Sequence, residues 1–210
     1  MRFYSYINEK QSYVDEYIET IKKDCKPYLD LLKKERIGFF YRGAYTSKPF
    51  EKKDVRKNRK PQGTKKSVFV EINKLLEKNK HVRRDQSIMV TSDKNWAKGF
   101  GNMVYMVFPI GRFDYSWISL IDFNKIQSEA FAYNFAGPES MGDYLFGEFD
   151  LISDKEKKEI EDYLLGMITT NKGIKKAYVN GFEVWMNPKS YYLLLPYYDS
   201  DEETMRKELL

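Results

Sequence analysis

The sequence predicts an α+β fold in which two packed, mainly antiparallel β-sheets are flanked by helices. Three observations predict it. Apolar residues recur at helical spacing near the N-terminus, at least six short apolar or aromatic runs of strand length follow residue 36, and turn-forming residues separate those runs. At 210 residues, with 42% hydrophobic and 16% aromatic side chains, the chain is expected to fold as one domain spanning residues 1–210.

Tyr13, Ile18, Ile21, Tyr28, Leu31 and Leu32 make residues 1–36 a helical N-terminal segment, with Pro27 dividing or kinking it. Gly38 breaks that pattern, and the apolar run at 37–41 is a strand candidate ending at Arg42-Gly43. Residues 44–66 contain Pro49, Pro61 and Gly63 and no periodic apolar face, so a long basic loop is expected there. Val68, Val70, Ile72, Leu75 and Leu76 argue for a helix over 67–79. A strand over 87–91 follows, and Ser92-Asp93 can cap a short helix that Gly101 ends.

Residues 103–109 and 116–121 read as two further strands, whereas 123–149 resist assignment. Ser153 and Glu156 form a capping box, opening a helix to about Ile168. Three short strands are expected at 177–180, 182–186 and 191–196, and residues 199–210 read as an exposed tail.

Several function classes are excluded early. No run reaches the roughly 18 apolar residues of a membrane span. The N-terminus lacks an apolar export region, so a cytoplasmic location without membrane association is expected. One cysteine and one histidine are too few for a disulfide framework or a structural zinc site, and no metal is expected. Cys25 has no nearby histidine in sequence to activate it, and His81 lies in the polar run KNKHVRR, where a solvated ring is the simpler expectation. KNRKPQGTKK has one glycine and is not a triphosphate-binding loop.

The net charge of +5 is unevenly spread. Residues 22–84 carry 21 Lys/Arg against 7 Asp/Glu, while residues 85–210 carry 13 against 20. A basic first half attracts polyanions, and Arg56, Arg59, Lys60, Lys65 and Lys66 are candidate contacts to a nucleic-acid backbone. The same charges can also keep the chain soluble or meet its own acidic half.

Three short patterns stand at the ends of strand candidates: Tyr41-Arg42-Gly43, then Thr91-Ser92 followed by Ala97-Lys98-Gly99-Phe100-Gly101, and Glu183-Val184-Trp185-Met186. In this order, and with Tyr191-Tyr192 on the next strand, they resemble the NAD-dependent ADP-ribosyltransferases of the Arg–Ser–Glu class over residues 37–196. The resemblance implies a fold in which the two sheets form an NAD cleft. It also implies a reaction that transfers ADP-ribose from NAD, here a co-substrate, to an acceptor.

Under that resemblance Glu183 accepts hydrogen bonds from the ribose hydroxyls and favours the oxocarbenium-like charge that forms when nicotinamide leaves. Arg42 holds a phosphate or ribose with its planar fork. Thr91 and Ser92 bond the nicotinamide ribose and orient Glu183, the backbone at Gly43 meets the carboxamide, and Phe100 or Tyr105 stacks on the nicotinamide. Two departures stand out. The family's Ser-Thr-Ser is Val90-Thr91-Ser92 here, and the acceptor-positioning Glu or Gln two residues before the catalytic Glu is Gly181, preceded by Asn180.

With that residue absent, the basic segment makes RNA or DNA a slightly better acceptor expectation than protein. A bacterial toxin or phage effector, paired with a neutralising antitoxin protein, is the type the resemblance implies. Two other readings remain open. One is a non-catalytic nucleic-acid-binding module that stacks bases on Tyr105, Phe108, Tyr115 and Trp117. The other is an NAD glycohydrolase that uses the same site with water as acceptor.

Overall fold

In the computed structural model, residues 16–61, 65–119, 141–196 and 199–210 are described. Pro27 divides the first helical stretch: α1 covers 16–24 and α2 runs Lys26–Glu35, with Pro27 in its first turn, where a missing N–H does least harm. Strands β1 (Tyr41–Ala44), β2 (Phe50–Asp54), β3 (Ile88–Val90), β4 (Met103–Pro109) and β5 (Tyr115–Ile118) follow, with helices α3 (Lys66–Lys78) and α4 (Lys94–Ala97) interleaved. Beyond them lie α5 (Met141–Phe146), α6 (Asp154–Gly166), β6 (Ile168–Thr170), α7 (Ile174–Val179), β7 (Val184–Met186), β8 (Ser190–Leu194) and α8 (Asp199–Leu209). The class is α+β with two antiparallel four-stranded sheets, as expected.

The chain divides into two compact units, each built from discontinuous pieces: 1–54, 92–113 and 188–210 in the first, 55–91 and 114–187 in the second. The first unit contains the sheet β1-β4-β8-β2. Its β8 is buried at every position, and Tyr192 on it donates to Asp24 Oδ2 (2.7 Å). Phe39, Phe40, Tyr28 and Phe108 fill the core beside α2. Cys25 sits in that core with its Sγ donating to the Phe108 carbonyl (3.6 Å), and burial pushes the thiol up to about 12. A thiol held so far from ionisation is a poor nucleophile.

The second unit contains β3-β7-β5-β6. Ile72 and Leu76 of α3, Tyr144 of α5, Ile160 and Leu164 of α6, Ile118 and Trp185 form its core. Ser153 caps α6 with the expected reciprocal box to Glu156.

Five expectations need correction. The first strand is Tyr41–Ala44 rather than 37–41, so Arg42 and Gly43 lie within it, where they pair with β4, and not at its end. The stretch 44–66 is not a continuous loop, because β2 lies within it and pairs with β8. Its Lys52 and Lys53 belong to an edge strand, where lysine discourages pairing with another chain. The helix opened by Ser153 ends before Ile168, and Ile168–Thr170 form β6 against β5, as β-branched residues favour. Residues 177–180 are helical rather than extended: Gly173 at φ +63° starts α7, and Ile174 and Ala177, three apart, share its buried side. The exposed tail is α8, anchored by buried Met205 and Leu209. Most of the unassigned stretch 123–149 lies outside the described residues, as does the start of the N-terminal segment. No helix among the described residues is long and apolar enough to cross a membrane.

Candidate active site

In the first unit Arg42 lies on β1 opposite Tyr105 of β4 and is half-buried. Gly43, the next residue, is in close contact with the turn after α4: a Cβ there would stand 2.3 Å from the Ala97 carbonyl oxygen and 2.7 Å from the Gly101 nitrogen. A Cβ on Gly101 would in turn meet the Ala44 nitrogen at 2.2 Å. The two glycines let two backbones approach where any side chain would separate them. Thus the first motif and the A-x-x-F-G part of the second are packed against one another.

Asp93, rather than Ser92, caps α4, its Oδ1 accepting from the Asn95 (2.8 Å) and Trp96 (3.2 Å) nitrogens. Ser92 is half-buried. Phe100, also half-buried, meets Trp96 edge-on at 5.9 Å. Tyr105 is fully buried and donates to the Thr46 carbonyl (2.8 Å), so its ring belongs to the sheet core and Phe100 is the more accessible of the two.

Helix α8 adds a residue that the sequence did not single out. Glu202 accepts from the Tyr41 hydroxyl and pairs with Lys94, and Arg206 stands 3.6 Å away. Burial pushes this carboxyl up, but the bonds from Lys94 and Tyr41 prevail and hold it below the usual value. Glu202 thereby fastens the residue before Arg42 to the start of α4.

In the second unit β3 pairs with β7, Val90 opposite Val184, so Thr91 follows β3 and Glu183 precedes β7 at the same end of the pair. Thr91 is buried and its Oγ1 donates to the Gly181 carbonyl (3.0 Å). Gly181 turns the chain at φ +66°, and Asn180 is exposed with its amide on the Lys176 carbonyl (2.8 Å). Glu183 is 4% exposed. Its Oε1 accepts from the Trp185 indole nitrogen and from Arg84 Nη2 at 3.4 Å.

Arg84 was invisible in the sequence, because KHVRR reads as one solvated run. In the structure its two arginines have different fates. Arg83 is half-buried, bonded to Asp85 and Glu77, whereas Arg84 is buried with its guanidinium near the rings of Phe69 and Trp185. Of the basic candidates, Arg56, Lys60, Lys65 and Lys66 are exposed and Arg59 is half-buried, its backbone nitrogen bonded to the Asp85 carbonyl. All five belong to the same unit as Thr91 and Glu183, while Arg42, Gly43, Ser92, Phe100 and Tyr105 belong to the other.

His81 is not simply solvated. Its Nδ1 stands 2.5 Å from Thr170 Oγ1, which is 2.6 Å from Ser116 Oγ, which accepts from the Val82 nitrogen (2.9 Å). With the ring neutral and its proton on Nε2, Thr170 donates to Nδ1 and Ser116 to Thr170, a chain that protonation of Nδ1 reverses, leaving the fully buried Ser116 hydroxyl to seek another acceptor. Burial pushes the imidazole below its usual value.

The unfolded state therefore takes up this proton first as pH falls below about 6.5, and the histidine-linked part of the stability is lost on acidification through that value. Urea midpoints at pH 7.5 and 5.5 are expected to differ more for the unaltered protein than for His81→Gln. Equal differences would contradict this.

Among the described residues, no group of three His, Cys, Asp or Glu side chains is arranged to hold a metal ion. Compared with protein-family models, curated proteins and solved structures, the chain matches none.

Proposed function

We propose that this chain is a mono-ADP-ribosyltransferase of ADP-ribosyltransferase-like fold, cleaving the nicotinamide–ribose bond of NAD and passing ADP-ribose to a macromolecular acceptor. One observation carries the reading: within the second unit the hydroxyl-bearing and carboxylate motifs lie on paired strands, Val90 opposite Val184, with Thr91 bonded to Gly181 two residues before Glu183. Within the first unit the Ala97–Gly101 turn is packed on Gly43 and Ala44, beside Arg42.

The chemistry follows from the groups. The C1′–N bond breaks, nicotinamide leaves with the bonding electrons, and positive charge develops on the ribose. Glu183 is the carboxylate that accepts from the ribose hydroxyls and stabilises that charge. Arg42 pairs with the diphosphate, Thr91 and Ser92 bond the ribose, and Phe100 stacks on the leaving ring. An acceptor lone pair then forms the new bond to C1′, and its proton passes to solvent.

Nucleic acid is the acceptor we favour, since Arg56, Lys60, Lys65 and Lys66 present exposed charge on the unit that carries Glu183. A cytoplasmic toxin or phage effector restrained by a neutralising protein is the setting that fits this activity.

Incubation with labelled NAD and separate pools of RNA, DNA and cell protein tests the reading. Nicotinamide release with label in RNA or DNA is expected. Label in protein alone reassigns the acceptor, and release without labelled polymer makes the chain a glycohydrolase. Neither release nor label overturns the proposal and leaves the nucleic-acid-binding module.

A further inference from the structure

Glu183 and Arg84 form an ion pair in which both side chains are almost fully buried, 6% and 4% exposed. Such a pair is a weak stabilising device, because the desolvation of two charges can exceed their attraction and a well-packed apolar replacement is often as stable. Its value lies elsewhere. It fixes a charge at one place and in one direction.

Everything around Arg84 serves that direction. It lies on a 3-10 turn, Arg84–Gln86, immediately before β3. Ser87 Oγ donates to its carbonyl (3.2 Å), and the nitrogen of Asp85 donates to Asn73 Oδ1 (3.2 Å), while Asn73 itself donates to the Phe69 carbonyl on α3 (2.7 Å). The guanidinium lies 5.9 Å from the Phe69 ring and 5.5 Å from that of Trp185, two faces that favour a cation and restrict its rotation. Nη2 then faces Glu183 Oε1, the same oxygen that accepts from the Trp185 indole. Two donors converging on one oxygen orient the carboxylate as a unit.

We propose that Arg84, set against Phe69 and Trp185, is the positioning residue of Glu183: it aims this carboxylate for the NAD reaction without touching substrate. The inference rests on the transferase reading given above. It adds a residue which none of the three motifs contains. Lysine in its place retains the charge but not the planar fork that stands near both rings.

The test compares the unaltered protein with Arg84→Lys and Arg84→Met, following nicotinamide release at saturating and limiting NAD well below the unfolding temperature. The Trp185 indole N–H resonance, assigned by its loss in Trp185→Phe, is recorded alongside. The expected result is a fall in kcat on the order of 10- to 100-fold with a nearly unchanged KM, as for groups that orient a reacting one. The fall is larger for Met than for Lys, and the indole resonance moves in both.

An unchanged kcat in Arg84→Lys, or a rise in KM that accounts for the whole loss, overturns the assignment. So does an unmoved indole resonance. Should Arg84→Met fail to fold, Arg84→Lys carries the comparison. Absence of nicotinamide release from the unaltered protein overturns the NAD reading instead, and the resonance then still decides whether Arg84 orients Glu183.

Discussion

Glu183→Gln is expected to lower the unfolding free energy by about 3–5 kcal/mol, as well as to stop nicotinamide release. The amide oxygen can still accept from the Trp185 indole, so the shape of the site survives. What it cannot do is balance Arg84, which at 3% exposure would remain a charge in the interior. The rings of Phe69 and Trp185 return part of that loss, by up to about 2 kcal/mol for a desolvated cation over a ring. Replacing both members, Arg84→Met with Glu183→Gln, removes the orphaned charge and is expected to restore most of the stability.

Arg83 supplies the internal contrast. It is half-buried and paired with exposed Glu77 and buried Asp85, and Arg83→Met is expected to cost less than Glu183→Gln because Arg83 and its partners keep more contact with solvent. Urea unfolding of the three variants beside the unaltered protein checks the ordering. A single Glu183→Gln variant as stable as the unaltered protein would show that the pair is not buried as described.

Gly43→Ala and Gly101→Ala are the next largest effects expected. The added carbons would lie 2.3 Å and 2.2 Å from backbone atoms of Ala97 and Ala44, where carbon contacts normally begin near about 3.5 Å. Backbone cannot rotate away as a side chain can, so β1 and the turn after α4 must separate, at a cost of about 3 kcal/mol or more.

Conformational freedom is not the reason at Gly101, whose φ of 180° any residue adopts. Gly99, in the same turn, has nothing within 4 Å of an added carbon, and Gly99→Ala is expected to stay within about 0.5 kcal/mol. Denaturation midpoints of the three variants test the contact. Equal loss at all three positions would mean that the turn, and not its approach to β1, is what the substitutions disturb.

Local patterns explain which parts of the fold were legible in the sequence. The strand at 103–109 matches β4 at both ends, because an unbroken apolar and aromatic run bounded by Asn102 and Ile110-Gly111 admits little else. Ser153 and Glu156 named their helix start through a reciprocal bond that needs only four residues. The failures share a cause: long-range partners decided the outcome. FEKKD is too charged to look like a strand until β8 pairs with it, and the polar last residues form a helix because Met205 and Leu209 are buried and Glu202 binds Tyr41 and Lys94.

The candidate site divides the same way. Arg42, Thr91 and Glu183 were visible because each stands beside or within an apolar run of strand type in a short motif. Arg84 was not, since nothing in KHVRR tells which arginine turns inward. Only the aromatic faces of Phe69 and Trp185, 15 residues before it and 101 after it in the sequence, make that choice.

The most direct measurement is the rate of nicotinamide release from NAD by the unaltered protein beside the Arg84→Met/Glu183→Gln double variant, which removes the carboxylate without leaving a buried charge. Release by the unaltered protein, slowed by about a thousandfold in the double variant, is the result expected when a preorganised group that stabilises transition-state charge is lost. Equal rates from two equally folded proteins, or no release from either, would contradict the assignment of Glu183 to the chemistry.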